Sequence, residues 1–141
     1  MHRGAGTPPD QKPLRAARAQ ARHALVLDIG CGSGLSGGVL TQRGAAWVGV
    51  DVAGDMLRLA AGGADCAGRL ALGDVGQGLP SRGEIFDAAI SISAVQWLCV
   101  APDPAAAVRR LFGALWRALR SGGCAALQVY TEGAPAASCP L

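Results

Sequence analysis

The stretch Ala24-Leu-Val-Leu-Asp-Ile-Gly-Cys-Gly-Ser-Gly34 decides the fold. Its first half is an apolar run of strand length, as expected for a strand covered on both faces of a parallel sheet. It then breaks into glycines at 30, 32 and 34, which let the chain turn sharply and let a ligand come close to the backbone. Leu35–Arg43 reads as the helix that follows. The same alternation repeats outward along the chain. Trp47-Val-Gly-Val-Asp51 is a second strand closed by an acid, and Asp55–Ala61 is a short helix with Met56, Leu57 and Leu59 available for packing. Arg69-Leu-Ala-Leu-Gly-Asp74 is a third strand, again closed by an acid. Phe86–Ser93 is a fourth, with a helical turn over Ala94–Val100. Asp103 caps the clearest helix and Pro104 opens it, with Val108, Leu111, Phe112, Leu115 and Leu119 on one apolar face. Ser121-Gly-Gly123 stops that helix, and Ala125–Tyr130 is a fifth strand. Strand–helix alternation of this kind predicts an α/β fold, a mostly parallel, doubly wound sheet of about five strands. Ligands of such sheets bind at the carboxyl ends of the strands, which is where Asp28, Asp51, Asp74 and Ser93 fall.

The chain has 141 residues, half of them hydrophobic, which is enough for one domain with a real core. It holds no run of about 18 uninterrupted apolar residues, so no membrane span is expected. No apolar stretch resembling a signal peptide stands at the N-terminus, and an intracellular setting is the expectation. The net charge is +3 and is concentrated at the start: residues 1–22 carry five basic side chains against the single acid Asp10. A disordered basic arm is expected over 1–22, a core over 23–131 and an irregular tail over 132–141. Such an arm attracts RNA or an acidic partner, but it lacks aromatics for base stacking and reads more readily as a leader. The five cysteines are odd in number and include no C-x-x-C pair, so neither a disulfide framework nor a zinc site is indicated. Reduced, mostly buried thiols are expected. The only histidines, His2 and His23, lie at the N-terminal end, which argues against a metal centre or a histidine-based catalytic cluster.

The glycine turn brings backbone N–H groups and the positive end of a helix to a ligand. Two ligand classes compete for it. Gly32-Ser-Gly-Leu-Ser-Gly37 matches the dinucleotide pattern G-x-G-x-x-G, and Asp51 lies 17–19 residues past Gly34 and Gly32, so NAD and an oxidoreductase are a serious reading. Asp28 separates the two. A carboxylate two residues before the glycines repels a diphosphate but favours S-adenosyl-L-methionine, which has no phosphate and carries an ammonium and a sulfonium. Asp51 can accept from both ribose hydroxyls in either reading. Asp74 can accept from the adenine amino group, and Met56 can pack on the adenine face. The expected cofactor contacts are therefore Asp28, Gly30, Cys31, Gly32 and Gly34 around the turn. Asp51, Val52 and Met56 follow the second strand, Asp74 and Val75 the third, and Ser91 the fourth. On the acceptor side the candidates are Ser93, Gln96 and Trp97, with Trp97 able to stack on a base and Gln96 to hydrogen-bond a base edge. Methyl transfer is chiefly a matter of alignment, and no general base is visible near the pocket.

Four blocks carry a resemblance: Leu27-Asp-Ile-Gly-Cys-Gly-Ser-Gly-Leu-Ser-Gly37, Trp47-Val-Gly-Val-Asp51, Leu72-Gly-Asp-Val-Gly-Gln-Gly-Leu-Pro80 and Ser91-Ile-Ser-Ala-Val-Gln-Trp-Leu-Cys99. Together they resemble the eukaryotic small-subunit (18S) ribosomal RNA guanine-7 methyltransferase family, over roughly residues 24–130. The first block alone indicates only a class I methyltransferase; the third and fourth are much more particular. The resemblance implies a Rossmann-like fold, S-adenosyl-L-methionine as methyl donor, and a guanine of small-subunit rRNA as acceptor. It also implies a role in ribosome biogenesis in nucleus and cytoplasm. It further implies a small zinc-binding activator protein as partner, aligned along the third-strand edge, here Arg69–Asp74. Cofactor contacts of the family carry over by position to Gly30, Asp51, Met56 and Asp74. Residues 1–22 do not resemble the family's segment before the first strand, and the likeness stops after Tyr130. A core shortened at both ends, and a catalytically impaired cofactor- or partner-binding fragment as the alternative, are the corresponding expectations. A methyltransferase acting on free metabolites is a further one.

Overall fold

A computed structural model describes residues 24–63, 69–79 and 83–130. Its elements are β1 (Leu25–Ile29), α1 (Leu35–Gln42), β2 (Ala46–Asp51), α2 (Gly54–Ala61), β3 (Leu70–Leu72), β4 (Phe86–Ile92), a 3₁₀ helix (Val95–Val100), α3 (Pro104–Ala118) and β5 (Leu119–Gln128). The five strands form one sheet in the order β3-β2-β1-β4-β5, and every pairing is parallel. The order reverses beside β1, where β2 lies on one side and β4 on the other. That reversal opens the crevice in which open α/β sheets hold their ligands.

The apolar run of β1 serves both faces because successive side chains of a strand point to opposite sides. Leu27 and Ile29 join Val50, Phe86 and Ala89 in a core covered by Val108, Leu111 and Leu115 of α3. Val26 faces the other way and packs with Cys31, Trp47 and Leu57, beneath α1 and α2. Trp47 is 1% exposed and its indole nitrogen donates to Thr41 Oγ1 at 3.0 Å. Space for the ring exists because Gly37 has no side chain: a Cβ there would stand 2.1 Å from Trp47 Cζ2.

Most boundaries fall within two residues of those read in the sequence, and three differences bear on the site and the sheet. β3 ends at Leu72, so Asp74 sits in the turn beyond the strand rather than at its last position. α3 stops at Ala118 without waiting for the glycines, and β5 begins at Leu119. Register explains the second change: Phe86 pairs with Leu119 but Ala88 pairs with Cys124, so the residues between bulge out of the ladder. Gly123 sits against the neighbouring strand there, where a Cβ would approach Asp87 O to 3.1 Å. Asp103 does cap α3, accepting from the Ala106 amide at 2.9 Å. Phe112, assigned to the apolar face of this helix, lies at its margin and is 43% exposed. The thiols are also not uniform, against the expectation of reduced, mostly buried ones: Cys31 is buried, Cys124 is exposed on β5, and Cys99 is disulfide-bonded.

Candidate active site

A cavity of about 700 Å³ opens at the carboxyl ends of the strands, in the crevice beside β1. Four strands deliver their carboxyl ends to it: Gly30 follows β1, Asp51 ends β2 with Val52 beyond it, Gly73–Gln77 follow β3, and Ile92 ends β4 with Ser93 and Ala94 beyond it. The far wall comes from Trp97 and Leu98 of the 3₁₀ helix and from Ala107 and Arg110 of α3.

The glycine turn is built by backbone geometry. Gly30, Gly32 and Gly34 all adopt positive φ, at 70°, 54° and 86°, a region that costs a side-chain-bearing residue energy. Gly30 has a second constraint, since a Cβ there would lie 2.1 Å from Ala94 Cβ. The amides of Gly30 and Cys31 both donate to Val50 O, at 2.8 and 3.2 Å, which pins the turn to β2. Asp51 completes the link: its Oδ2 accepts from the Gly32 amide and its Oδ1 from the Ala53 amide, each at 2.8 Å. One carboxylate thus fixes the glycine turn, the start of α2 and its own orientation, while its edge stays on the cavity wall.

Asp28 lies beneath the same turn. It is 1% exposed, Oδ2 accepts from the Ser36 hydroxyl, and Oδ1 has no hydrogen-bond partner among the described residues. Burial pushes its carboxyl above the usual carboxylate range; the Ser36 hydroxyl opposes that and the nearby Asp51 charge adds to it. A buried, half-satisfied carboxylate beside the turn favours a cation there and disfavours a phosphate. Gly37, the last glycine of the dinucleotide pattern, is accounted for by the Trp47 ring.

The third acid closes the opposite side. Asp74 Oδ1 accepts from the Gly76 amide at 2.8 Å, and Arg110 Nε donates to Gly76 O at 2.7 Å, tying this turn to α3. Across the cavity, Ser93 is the only described non-glycine residue with positive φ, at 58°. It is held there by hydrogen bonds from its amide to Gln128 O at 2.9 Å and from its hydroxyl to Gln128 Oε1 at 2.7 Å. A strained residue at a strand end inside a pocket is a common mark of a functional position.

Of the expected contacts, Gly30, Asp51, Val52, Asp74, Val75, Ser93 and Trp97 line the cavity. Gly32 and Gly34 shape the turn without lining it. Met56 stands off the cavity, its Cε 3.5 Å from where a Gly32 Cβ would be, and is 38% exposed. Cys31 points into the core below α1 and α2. Ser91 is fully buried and donates to Ile29 O at 2.9 Å, bracing β4 against β1. Gln96 turns outward and accepts from the Tyr130 amide at 3.2 Å. Sequence reading missed Gln77, Leu98 and Arg110. Arg110 was legible only as a polar flank of α3, since its reach to Gly76 depends on how the helix docks.

Comparison with known proteins agrees with this geometry. A family model described as a methyltransferase domain matches residues 27–127. The chain is 49% identical over 111 residues to the 18S rRNA (guanine-N(7))-methyltransferase of Arabidopsis thaliana, covering 76% of this chain and 38% of that protein. It is 47% identical over 114 residues to the 18S rRNA (guanine(1575)-N(7))-methyltransferase of Saccharomyces cerevisiae, covering 77% and 41%. The chain thus spans about two fifths of the length of the curated relatives it matches. Among solved structures, an S-adenosylmethionine-dependent methyltransferase from Mesorhizobium loti superposes with a TM-score of 0.59 at 29% identity, covering 82% of this chain and 49% of that one. A TehB-like methyltransferase from Corynebacterium glutamicum gives a TM-score of 0.67 over 92% of this chain and 73% of that one, at 24% identity, and so speaks to the fold alone.

Proposed function

The chain belongs to the methyltransferase-domain family, and from that premise we propose that it is the cofactor-binding core of an enzyme that methylates nitrogen 7 of a guanine in small-subunit rRNA, with S-adenosyl-L-methionine as donor. The observation that carries the cofactor is the pair of acids on the wall of one crevice, Asp51 braced by two amides and Asp74 in the turn after β3, with Asp28 buried under the glycine turn and off the cavity wall. The acceptor rests on the relatives, whose names specify 18S rRNA and guanine N7.

When bound, S-adenosyl-L-methionine supplies an electrophilic methyl group on a positively charged sulfur. The chain's residues have distinct tasks around it. Gly30 presents bare backbone to the cavity, and the Asp28 carboxylate below sets a negative field that favours the ligand's cationic end. Asp51 holds the ribose hydroxyls with the lone pairs its two amide donors leave over. Asp74 and Val75 bound the adenine pocket. Ser93 and Trp97 face the side from which an acceptor base enters, and Trp97 is 67% exposed, free to stack on it. Guanine N7 carries its own lone pair, so these residues need only to align the base and exclude water; no side chain has to remove a proton.

The activator partner belongs to the same reading. Among the described residues β3 pairs with β2 alone, and Leu72 of β3 and Leu59 of α2 are each 68% exposed. An apolar strand edge of this kind is covered by strand addition from a partner, which suits a small zinc-binding activator. Action in nucleus and cytoplasm follows from a part in ribosome biogenesis.

The test is calorimetric titration of S-adenosylhomocysteine, and separately of NAD, into the full chain with and without the activator, followed by a methylation assay on rRNA. Micromolar binding of S-adenosylhomocysteine, none of NAD, and methylation when the activator is present are the expected results. NAD binding alone would replace the reading with an oxidoreductase. Cofactor binding without methylation would leave a binding module of the same fold.

A further inference from the structure

Along the outer face of α3 runs a second groove, of about 530 Å³, that the methyl-transfer site does not use. Arg109, Arg110 and Arg117 line it, together with Gln77 and Gly113, and among the described residues no acidic one does. It is continuous with the candidate active site, because Gln77 and Arg110 line both. α3 contains three arginines and no acid. The ion pairs among the described residues are Arg58–Asp55 and Arg120–Asp87, so Arg109 and Arg117 have no described acidic partner.

The helix sequence suits a polyanion. Arg109, Gly113 and Arg117 recur every four residues and form one stripe, with the guanidinium-bearing positions about 12 Å apart along the axis. Gly113 is a helix-interior glycine, which costs roughly 0.5–1 kcal/mol relative to alanine. At this position it keeps the floor between the two arginines low enough for another backbone to approach. Next to the stripe Trp116 is 84% exposed and Phe112 43% exposed, an apolar pair one helical turn apart. Unpaired guanidiniums beside an exposed indole are the combination that holds single-stranded nucleic acid, through phosphate contacts and base stacking.

We propose that the α3 groove binds the phosphate backbone of single-stranded RNA flanking the acceptor base, with Arg109 and Arg117 on phosphates and Trp116 under a base. The inference rests on the RNA methyltransferase reading for the identity of the polyanion. Through Arg110 the groove leads the strand to the cavity mouth near Trp97.

The experiment is fluorescence anisotropy of a labelled, guanine-containing single-stranded RNA with the full chain across a series of salt concentrations. The variants are Arg109→Gln/Arg117→Gln, Trp116→Ala, and a control pair Arg43→Gln/Arg58→Gln away from the groove. S-adenosylhomocysteine titration of each reports the cofactor site separately. The double groove variant should bind RNA about tenfold more weakly, with the salt dependence flattened by roughly 1.4 in log–log slope for two lost phosphate contacts. Trp116→Ala should weaken binding severalfold with the slope unchanged, and the control pair should match wild type. Wild-type RNA affinity and slope in the double variant, or no RNA binding by the wild type, overturns the proposal. A polyglutamate peptide that binds as tightly as RNA and is lost equally in the double variant would assign the groove to an acidic protein instead. If RNA binding responds as expected but S-adenosylhomocysteine does not bind, the groove stands and the methyltransferase reading falls; the converse pattern removes only the groove.

Discussion

Replacing Asp51 by alanine removes one side chain that holds two pieces of backbone and faces the cavity. Two amide-to-carboxylate hydrogen bonds of 2.8 Å are lost, from Gly32 and Ala53. Bonds to a charged acceptor contribute about 1.5–3 kcal/mol each. Asp51 is half-buried, so water recovers part of each, and a net destabilisation of about 2–3 kcal/mol is expected. Ligand affinity should fall by a separate amount. Losing the ribose contacts costs about 1–3 kcal/mol, a weakening of roughly 5- to 150-fold for S-adenosylhomocysteine. Asp51→Asn divides the two effects. It keeps one acceptor oxygen but points an NH₂ at one of the two amides, so it should lose stability nearly as alanine does and retain part of the ligand affinity. Urea unfolding followed by circular dichroism gives the first quantity, and calorimetry at a temperature where all variants are folded gives the second. Affinity within about twofold of wild type in Asp51→Ala would remove Asp51 from the ligand site. A stability loss alone would reduce it to a brace of the glycine turn.

Asp28→Asn tests the buried carboxylate through pH. Its folded-state pKa is raised above the ordinary 3.8 by burial, so the stability this group contributes is fully present below that value and is lost as pH rises through the raised one. The asparagine variant lacks this decline: its stability relative to wild type should grow from acid to neutral pH in urea melts, while S-adenosylhomocysteine binds on the order of 1 kcal/mol more weakly. A stability difference independent of pH would show that the carboxylate is not strained by burial. Asp87 has the opposite sign. The Leu25 amide at 2.7 Å, and then Arg120, hold its carboxyl below the usual range. The stability it contributes is present above the unfolded pKa and is lost as pH falls through the depressed one, so Asp87→Asn should lose stability at neutral pH and converge with wild type in strong acid. Gly37→Ala would set a methyl 2.1 Å from the Trp47 ring and should cost about 1–3 kcal/mol in unfolding free energy; a cost under about 0.5 kcal/mol would show that the indole has room to move.

What was legible in the sequence was whatever depends on chain-local chemistry. β1, β2 and β4 are apolar runs bounded by glycine or acid, and their positions in the structure differ from the reading by a residue or so. Their parallel order follows from the helices between them. The α3–β5 junction was not legible, because a serine and two glycines look like a helix stop when they are in fact a bulge inside a strand pair. That distinction depends on which residue of β4 lies opposite, and nothing local encodes it. Ser91 misled for a related reason. In a parallel strand alternate residues face opposite ways, and one step along β4 separates the core-bound Ser91 from the exposed Ile92 on the cavity wall. Ser93 lines the cavity two residues on only because its positive φ breaks that alternation.

The choice between the two ligand classes turns on the same difference between pattern and geometry. Read as letters, Gly32-Ser-Gly-Leu-Ser-Gly37 is a dinucleotide fingerprint, and the acid at 51 supports it. In three dimensions each part of the pattern is bound to a different neighbour. Gly32 donates to Asp51, Gly34 makes the left-handed step into α1, and Gly37 yields its volume to Trp47. None of these roles calls for a phosphate. The residue outside the pattern, Asp28, places a buried carboxyl group beneath the turn, with one oxygen lacking a described partner. A diphosphate over that carboxylate would add repulsion to a group already shifted by burial, whereas a cationic ligand relieves it. The fingerprint therefore specifies the turn, and the acid before it specifies the charge of what the turn can hold.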